Sequence, residues 1–524
     1  MKRKKIFAMI VLVLSVMISA CASSGNKAQT ENASGKPKLL KVATAGSVTT
    51  WDPSISDSTE SEFLANIYEP LLWANPPGSA EEFSPALAEK WEHNEDGNVW
   101  TFTIRKGVTF HDGASLNAEA VKKSIERTIK LDRGSARIWE PVEKIEVADE
   151  YTVKFTLKSP VPLERIVSAG YAAWIMSPNV IDKDEAWFNE GREAGTGPWK
   201  LESYKPQKEV LLTKNDKYWE PLDTNFEKVF ISMVGEDVVR EQMLTSGQVD
   251  LTTTPVENLK TLEKNPNIQI ERVNGYHNFV GFFNTKKPPL DNKLVRQALS
   301  YAVDYQAIIE VATKGEGTQA KGPVPKGLWP SDPSLPSYSF NIEKAKELLK
   351  QAGVNPADLK LTLTYASESM EEARFAPLIK EGFAKLGVTV NVEPILWNQQ
   401  WEKGKGDPHA AQDIFVLQFW PSYADGYGNL KQMFGTEEKP SLNLAYWSNP
   451  QFDKLVTQAY LLSGTSKDLS KEMYVQAQKL VIDEAPAMYF FDNKEILSMN
   501  KSLIGEANNP NYTYVTFYHK LKTK

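Results

Sequence analysis

The run Asn278-Phe279-Val280-Gly281-Phe282-Phe283 and the later run Met488-Tyr489-Phe490-Phe491 are short, apolar and aromatic. This composition is typical of buried strands. Residues 39–44 have the character of a further strand, and residues 100–104 and 153–157 alternate polar and apolar positions. Such alternation predicts half-exposed antiparallel strands.

Helical patterns are interspersed with these strands. Asn341 can cap a helix that Gly353 ends. Its apolar face has five members, which are Ile342, Ala345, Leu348, Leu349 and Ala352. Residues 292–309 predict a second helix, because they carry a comparable stripe of Leu294, Ala298, Tyr301 and Ala302. Residues 468–482 predict a third helix. Strands and helices that alternate in this way indicate α/β or α+β lobes.

Composition excludes several classes of protein. The 524 residues are enough for two or three packed units, and the hydrophobic (41%) and charged (24%) fractions are those of a globular chain. The net charge is −7, and the first 20 residues carry +4, so the remainder carries −11. An acidic body of this kind lacks the basic face that a nucleic acid requires.

Catalytic and metal-binding motifs are missing from the sequence. It has no phosphate-binding loop, no dinucleotide-binding glycine pattern, no H-E-x-x-H and no G-x-S-x-G. None of the five histidines has metal-pair spacing to another, and the one cysteine excludes an internal disulfide and a cysteine-based zinc site. We therefore predict no enzyme activity, no metal and no cofactor. A triad assembled from distant residues stays open.

The N-terminus predicts export and lipid attachment. Residues 1–20 begin Met-Lys-Arg-Lys-Lys and continue in an apolar stretch too short to span a bilayer, as in a signal peptide. The stretch ends Ile18-Ser19-Ala20-Cys21, which resembles a bacterial lipobox with Cys21 as the lipidated residue. The rest of segment 21–37 is polar and small and predicts a flexible tether. An ordinary signal peptide with a chance cysteine is the alternative.

Aromatic residues are abundant, with 14 Trp, 19 Tyr and 22 Phe. Most such side chains fill cores. Three groups lie beside turn and polar residues and are candidates for a ligand cleft. They are Thr50-Trp51-Asp52-Pro53, Gly275-Tyr276-His277-Asn278 and the run from Trp420 to Tyr427.

A series of short motifs follows in order along almost the whole chain. They are Trp51-Asp52-Pro53, Leu87-Ala88-Glu89-Lys90-Trp91, Asp96-Gly97, Phe102, Phe110-His111-Asp112-Gly113, residues 118–127, Gly195-Thr196-Gly197-Pro198-Trp199, residues 215–219, Phe283-Asn284, Val295-Arg296-Gln297-Ala298-Leu299 and residues 345–353. Through their order and spacing the chain resembles the extracytoplasmic peptide/nickel-binding proteins of ABC transporters, the oligopeptide- and dipeptide-binding group.

The resemblance implies an α/β fold built as a two-lobed, periplasmic-binding-protein-like clamp. The expected first lobe is 38–280, with an inserted subdomain at about 75–195, the second lobe is 281–488, and 489–524 return to the first lobe. The aromatic runs at 278–283 and 488–491 would then lie near the two crossings. We interpret the motifs at 110–113 and 195–199 as packed turns rather than ligand contacts.

The resembling peptide binders pair the peptide backbone with strand edges and hold its amino group on an aspartate in a W-x-x-D-Y segment. Counting from Trp420, the aspartate position is Tyr423, and the next acid is Asp425. We predict that Asp425 pairs with a cationic group of the ligand. Trp420 and Tyr423 would wall this pocket, and Trp51 would face it from the first lobe. Alternatively, Asp425 is a turn residue before Gly426, or the ligand is not a peptide with a free N-terminus.

The complete set of predicted ligand-binding residues is Val48, Thr49, Trp51, Tyr276, Asn278, Trp397, Trp420, Tyr423, Asp425 and Tyr427.

The resemblance implies a lipid-anchored receptor at the outer face of the bacterial cytoplasmic membrane or in the periplasm. It would capture a peptide as a monomer by lobe closure and deliver it to the permease and ATPase of an ABC importer. A binder of an oligosaccharide or metal chelate in the same family is the main alternative. A receptor that presents a ligand to a sensor and an extracellular hydrolase are more distant ones.

The anchor can be tested by replacing the only cysteine. Cys21→Ser should abolish incorporation of a labelled fatty acid, because no other thiol could accept the lipid. Labelling and fractionation of cells that express the wild type and the variant make the measurement. Equal label in both proteins would contradict the prediction.

Overall fold

The structure is a computed structural model that describes residues 38–254 and 256–524. The predicted signal peptide, Cys21 and the tether lie outside the described residues. No helix within the described ranges is long and apolar enough to cross a membrane.

Strands occur along the whole of the described chain. They are β1 (Leu39–Thr44), β2 (Leu72–Ala74), β3 (Phe83–Pro85), β4 (Ala88–His93), β5 (Val99–Ile104), β6 (Val142–Asp149), β7 (Thr152–Leu157), β8 (Trp199–Lys205), β9 (Glu209–Lys214), β10 (Lys228–Met233), β11 (Leu251–Thr253), β12 (Ile268–Phe283), β13 (Thr318–Gln319), β14 (Lys360–Ala366), β15 (Thr389–Ile395), β16 (Ile414–Phe419), β17 (Ala487–Asn500), β18 (Leu503–Ile504) and β19 (Lys522–Thr523).

The α-helices lie between these strands. They are α1 (Ser61–Ile67), α2 (Ala118–Leu131), α3 (Leu163–Val167), α4 (Glu185–Asn189), α5 (Asp237–Thr245), α6 (Leu259–Leu262), α7 (Lys293–Tyr301), α8 (Tyr305–Thr313), α9 (Ile342–Gln351), α10 (Met370–Ala384), α11 (Trp397–Lys405), α12 (Gly426–Phe434), α13 (Pro450–Leu462) and α14 (Lys467–Glu484).

One mixed sheet runs through the molecule in the order β15-β14-β16-β12-β17-β11-β1-β10-β9-β8, and β13 pairs with β17 outside this path. β1 pairs in parallel with β10 and β11, and β14 pairs in parallel with β15 and β16. Between these two parallel parts, the long strands β12 and β17 pair antiparallel from Ile268 opposite Asn500 to Phe282 opposite Ala487.

Each half of this sheet has its own core. The first half, from β8 to β11, buries Val42, Ile231 and Leu251 together with Leu497 of β17. The second half, from β14 to β16, buries residues such as Leu363 and Val416 together with residues of β12 and β17. Ile268 of β12 packs with Ala43 of β1, so β12 and β17 both contact both halves and connect them.

A separate antiparallel sheet of order β4-β5-β7-β6 lies between β1 and β8 in the chain. Its inner positions are apolar, and α2 covers them with Val121 and Ile125. Asn117 caps α2 by accepting a hydrogen bond from the amide of Ala120. This four-stranded sheet and its helix form the inserted sheet of the molecule.

Most of the predicted elements are confirmed. Residues 39–44, 100–104 and 153–157 lie in β1, β5 and β7. Asn341 caps α9 through the amide of Lys344, and Gly353 follows the helix with a φ of +68°. Residues 468–482 lie in α14.

The single helix predicted at 292–309 is wrong. α7 ends at Tyr301, and α8 begins at Tyr305 with Asp304 as its cap, whose carboxylate accepts from the amide of Ala307. α10 packs against the break so closely that a Cβ at Gly382 would lie 2.1 Å from the carbonyl oxygen of Ala302. Asp304, two residues after the last member of the stripe, is thus a helix-start signal that the apolar pattern conceals.

The motif at 195–199 is a packed turn, as predicted. A Cβ at Gly195 would lie 2.0 Å from the carbonyl oxygen of Ile67, and the amide of Gly197 donates to that same oxygen. The motif at 51–53 has a comparable structural role. Both guanidinium nitrogens of Arg127 on α2 donate to the carboxylate of Asp52 at 2.6 Å, and both side chains are buried. These contacts seat the inserted sheet on the first half.

Candidate functional site

The pairing of β12 and β17 is interrupted where the two halves of the sheet meet. Its register shifts between Asn274 and Asn278. The irregular residues between them project into two different cavities: Tyr276 lines one and His277 lines the other. The crossing between the halves therefore contributes side chains to both spaces.

The first space, which we call the Arg165 cavity, has a volume of about 470 Å³. Its walls come from the loop at 74–83, from α3, from the second half and from the C-terminal segment. We call the inserted sheet, together with the following segment that holds α3, the inserted part of the molecule. The side chains that line these walls include Arg165, Tyr276, Trp329, Lys467 and Asn511. Residues far apart in the sequence thus meet around one polar opening.

Arg165 is the centre of an ion-pair network that also includes Glu82, Asp425 and Lys467. It is only 8% exposed; its Nη1 donates to the carbonyl oxygen of Ala424 at 2.8 Å, and its Nη2 bonds Glu82. The ammonium of Lys467 lies 2.6 Å from the same glutamate. α3, the loop at 74–83 and the second half are therefore joined by charges.

Asp425 contributes to this network and to a helix. Its Oδ1 accepts from the amide of Tyr427 at 2.7 Å and caps α12, so the interpretation of Asp425 as a turn residue describes its local role. Its Oδ2 lies 3.3 Å from Nε of Arg165 but has no hydrogen-bond donor among the described residues. Burial raises the pKa of Asp425 to about 6, and the Arg165 guanidinium opposes that rise. Its pairing with a ligand cation stays a prediction.

The second space, the His277 cavity, has a volume of about 280 Å³ and is lined by both halves of the sheet. His277 is 2% exposed, and neither ring nitrogen has a hydrogen-bond partner among the described residues. Burial lowers the pKa of His277 to about 4, so its imidazole is neutral near pH 7. A neutral imidazole offers one donor and one acceptor to a molecule in the cavity.

Carboxylates outnumber cations in the described lining of the His277 cavity. Glu62, Glu371 and Glu495 face Lys494 there. Glu62 accepts from the hydroxyl of Thr44 at 2.8 Å, and loss of water around its carboxyl raises its pKa to about 7. The pKa of Glu495 is also raised to about 7 by burial of its carboxyl group. This excess of acid favours a cationic group in the cavity.

Among the described residues that line the two cavities, Tyr276 is the only member of the predicted ligand set. Its hydroxyl donates to the carbonyl oxygen of Gly327. Trp420 lies close by, because its ring packs perpendicular to Tyr514 at 6.1 Å and Tyr514 lines the His277 cavity. Tyr276 thus lines a cavity, and Trp420 contacts a residue that lines the other one.

The other predicted aromatic residues of the second half pack within it. Tyr423 is buried, and the ring of Tyr427 stacks on Tyr460 with centroids 3.8 Å apart. Trp397 begins α11 and packs against Trp401. These contacts are with the protein itself.

The predicted first-lobe residues have local partners as well. Trp51 is 1% exposed and packs against Phe63 and Tyr204 in the first-half core. The ring of Trp51 is thus buried in that core, whereas the prediction placed it opposite Asp425. Val48 is buried in the same core, and the hydroxyl of Thr49 donates to Glu60.

Asn278 also has a structural role. Its side-chain amide donates to the carbonyl oxygens of Gly322 and Pro323 and so holds the loop after β13. Asn429 of α12 donates to Pro323 as well. The polar side chain of Asn278 thus anchors a wall of the site.

The lining residues that the sequence-based set missed include Glu62, Arg165, His277 and Glu495. His277 stood in the aromatic group at 275–278, so its neighbourhood was a usable signal. Arg165, Glu62 and Glu495 lie in ordinary helix or strand sequence, and only the fold brings them to the cavities. Within the described ranges, no cluster of three or more histidine, cysteine or acidic residues is arranged to hold a metal ion.

Comparison with known proteins identifies the class. Residues 82–441, more than half of the chain, match the family of bacterial extracellular solute-binding proteins, family 5 Middle. The chain belongs to this family. It is a solute-binding protein of the kind that serves ABC importers, and the predicted family and two-lobed α/β fold are confirmed.

Individual relatives agree with this class. The probable D,D-dipeptide-binding periplasmic protein DdpA of Escherichia coli (strain K12) is 30% identical over 483 residues, covering 90% of this chain and 92% of that protein. Heme-binding protein A of Haemophilus influenzae is 28% identical, covering 96% of each chain. Among solved structures, the ABC transporter-associated periplasmic binding protein DppA of Helicobacter pylori in complex with the peptide STSA is 26% identical, with a TM-score of 0.79 over 93% of this chain and 98% of that one.

The buried glutamate at the His277 cavity predicts a pH dependence of stability. The pKa of Glu62 is 4.5 in the unfolded chain and about 7 in the folded one, so the folded state binds more protons between these values. This group therefore lowers the free energy of unfolding as the pH rises through that window. Glu62→Gln should raise the melting temperature relative to wild type more at about pH 8 than at about pH 5.

Thermal unfolding followed by circular dichroism at both pH values makes the measurement. Glu89→Gln, at an exposed position of β4, controls for the loss of one negative charge. An equal difference from wild type at both pH values would show that Glu62 does not contribute to the pH dependence.

Proposed function

We propose that this protein captures a peptide between its two lobes and delivers it to the permease and ATPase of an ABC importer. The His277 cavity is the observation that carries the proposal, because both halves of the sheet supply its walls. A solute held there contacts both lobes at once and so stabilises their closed arrangement. The peptide ligands named for DdpA and DppA support a peptide as the solute.

The charges around the cavity suit a dipolar ligand. The His277 cavity shares Thr253, Thr254 and Glu371 with a smaller neighbouring space of about 170 Å³. Arg240 and Arg374 line that smaller space together with Asp237 and Glu257, which form ion pairs with them. A peptide amino group would lie near the carboxylates and its carboxylate would point toward the arginines.

Local contacts define how each end would be held. The carboxylates of Glu371 and Glu495 can accept hydrogen bonds from an ammonium group, and the free nitrogens of His277 can bond the first peptide unit. At the other end, Arg374 has one carboxylate partner, Glu257 at 2.7 Å. The Nε of Arg240 is buried and has no partner among the described residues. These groups recognise peptide ends rather than side chains, which suits a receptor of broad specificity.

Closure of the lobes is part of the proposal. The network of Glu82, Arg165, Asp425 and Lys467 connects the inserted part with the second half. Such a network can form only when these parts are in contact, and it therefore favours the closed state. Hinge motion would be taken up at the irregular pairing between Asn274 and Asn278, where the backbone ladder is already interrupted.

Location and anchoring complete the proposal. We place the protein as a monomer outside the cytoplasmic membrane, held by a lipid on Cys21 and a polar tether up to residue 37. The extracellular family supports the location. For a polar chain of this length the expected reach is about 20 Å, which leaves the lobes free to meet a membrane-embedded permease.

The charge assignment predicts which ligands bind. The wild-type protein should bind members of a pool of short peptides. Glu495→Gln should lower the affinity for the recovered peptide by about tenfold or more, because the buried ammonium group of the peptide loses a charged partner. The same peptide with an acetylated N-terminus should bind wild type and variant equally. Calorimetry gives the affinities, and mass spectrometry of the bound fraction shows whether the peptide is intact.

Asp425→Asn distinguishes the two possible cation partners. If Asp425 holds the ligand's ammonium, this variant costs about 2–5 kcal/mol of affinity and Glu495→Gln has little effect. Loss of affinity in neither variant, or selective recovery of a heme, chelate or oligosaccharide, would overturn the peptide assignment. Cleavage of the peptide during incubation would instead favour the alternative that the protein is an extracellular hydrolase.

Closure predicts a change of size in solution. A saturating peptide should reduce the radius of gyration in small-angle X-ray scattering, and Arg165→Met should reduce this compaction because the network loses its central cation. Arg133→Met is the matched control, since the ion pair of Arg133 with Glu185 is exposed and lies outside the network. Identical scattering with and without peptide would contradict a clamp.

A further inference from the structure

A third cavity, the Asp492 cavity, lies between β17 and the loop that follows β13. Its volume is about 430 Å³. The loop contributes the apolar side chains Val324, Pro333 and Leu335 to its wall, and Val324 and Leu335 are almost fully buried. The volume falls within the range of roughly 300–1,000 Å³ that is usual for small-molecule sites.

The carboxyl group of Asp492 is the unusual feature of this apolar space. The residue is 7% exposed and lines the cavity from β17. Its Oδ2 accepts from the backbone amide of Lys326 at 2.9 Å, while its Oδ1 has no hydrogen-bond partner among the described residues. Leaving one oxygen of a buried carboxylate without a donor is costly, and native structures seldom retain such groups without a purpose.

The other charged groups of the lining do not supply that donor. Lys321, Lys326 and Asp332 also border the cavity. Among the described residues, neither lysine ammonium lies within 4.0 Å of the Asp492 carboxylate, so neither forms an ion pair with it. Both lysines are exposed residues, and Lys326 serves Asp492 through its backbone. Burial raises the pKa of Asp492 to about 7, although the backbone amide and the charge of Lys326 both oppose that rise.

We propose that the Asp492 cavity is a second ligand site, one that takes a small organic ammonium ion with an apolar body. The ammonium group donates to Oδ1 of Asp492, and the apolar body lies against Val324 and Leu335. The inference goes beyond the proposed function, because it requires neither a peptide nor transport.

The position of this site gives it a connection to the Arg165 cavity. Gly327 borders both spaces, and the hydroxyl of Tyr276 donates to its carbonyl oxygen. A bound amine would hold the loop whose residues 327–329 form a wall of the Arg165 cavity. The second site would thus act on the shape of the first.

The test uses 4-fluorobenzylamine and its neutral analogue 4-fluorobenzyl alcohol, observed by fluorine NMR at about pH 8, where the buried carboxyl is ionised. The amine should bind the wild-type protein saturably, and the alcohol should bind about tenfold more weakly or not at all because it carries no charge. Asp492→Asn should weaken binding of the amine by a similar factor, although the asparagine still offers an acceptor to the Lys326 amide. Asp332→Asn, at the border of the cavity, is the matched control and should change the affinity by less than about twofold.

Leu335→Trp provides a second variant, because a larger side chain fills the cavity without removing a charge. It should abolish binding of the amine. Absence of saturable binding to the wild type, equal affinities for amine and alcohol, or an unchanged affinity in Asp492→Asn or Leu335→Trp would each overturn the proposal. Peptide binding by the wild type and by Glu495→Gln is measured in a separate experiment. Failure of amine binding at the Asp492 cavity is therefore distinguishable from failure of the proposed peptide-binding function.

Discussion

The antiparallel ladder between β12 and β17 is the interaction on which the rest of the structure depends. The two strands are 16 and 14 residues long. One end of each packs with the first half, β12 through Ile268 and β17 through Leu497, and the other end packs with the second half. Backbone hydrogen bonds tie the halves together without using a side chain for the purpose, so side chains at the crossing are available for other roles. The register shift between Asn274 and Asn278 uses that freedom, since it exposes Tyr276 and His277 to separate cavities.

Charge is distributed unevenly around this crossing. The first half and the crossing strand β17 supply Glu62 and Glu495, whose carboxyl groups are held out of water, whereas the inserted part supplies Arg165. Burying such groups destabilises a protein unless they are paired. Arg165 is paired by Glu82 and approached by Asp425, while both ring nitrogens of His277 lack a partner within residues 38–254 and 256–524. Unpaired buried groups therefore cost stability at the His277 cavity, whereas the buried cation of the network has charged partners.

The sequence could predict the parts of this molecule that depend on local pattern. Period-2 alternation located β5 and β7, and the cap at Asn341 located α9, because these features are set by neighbours along the chain. The break between α7 and α8 was hidden, since Asp304 interrupts a stripe whose apolar residues continue on both sides. Aromatic residues were poor guides to the site: Trp51 and Tyr427 are amphipathic in sequence but are held by Tyr204 and Tyr460 in space. Arg165 could not be found from the sequence, because its partners lie 83 residues before it and more than 250 residues after it.

The C-terminal segment has a consequence for how the protein is made. Asn511 lines the Arg165 cavity, and Tyr514 lines the His277 cavity and packs against Trp420. The hydroxyl of Tyr518 also bonds Glu62, and the amide of Tyr518 bonds Asn66. Neither cavity can therefore be complete until residues 511–514 have been synthesised. Both cavities acquire these walls only after the segment at 511–518 has joined α1, whose Glu62 and Asn66 lie more than 450 residues before Tyr518 in the chain.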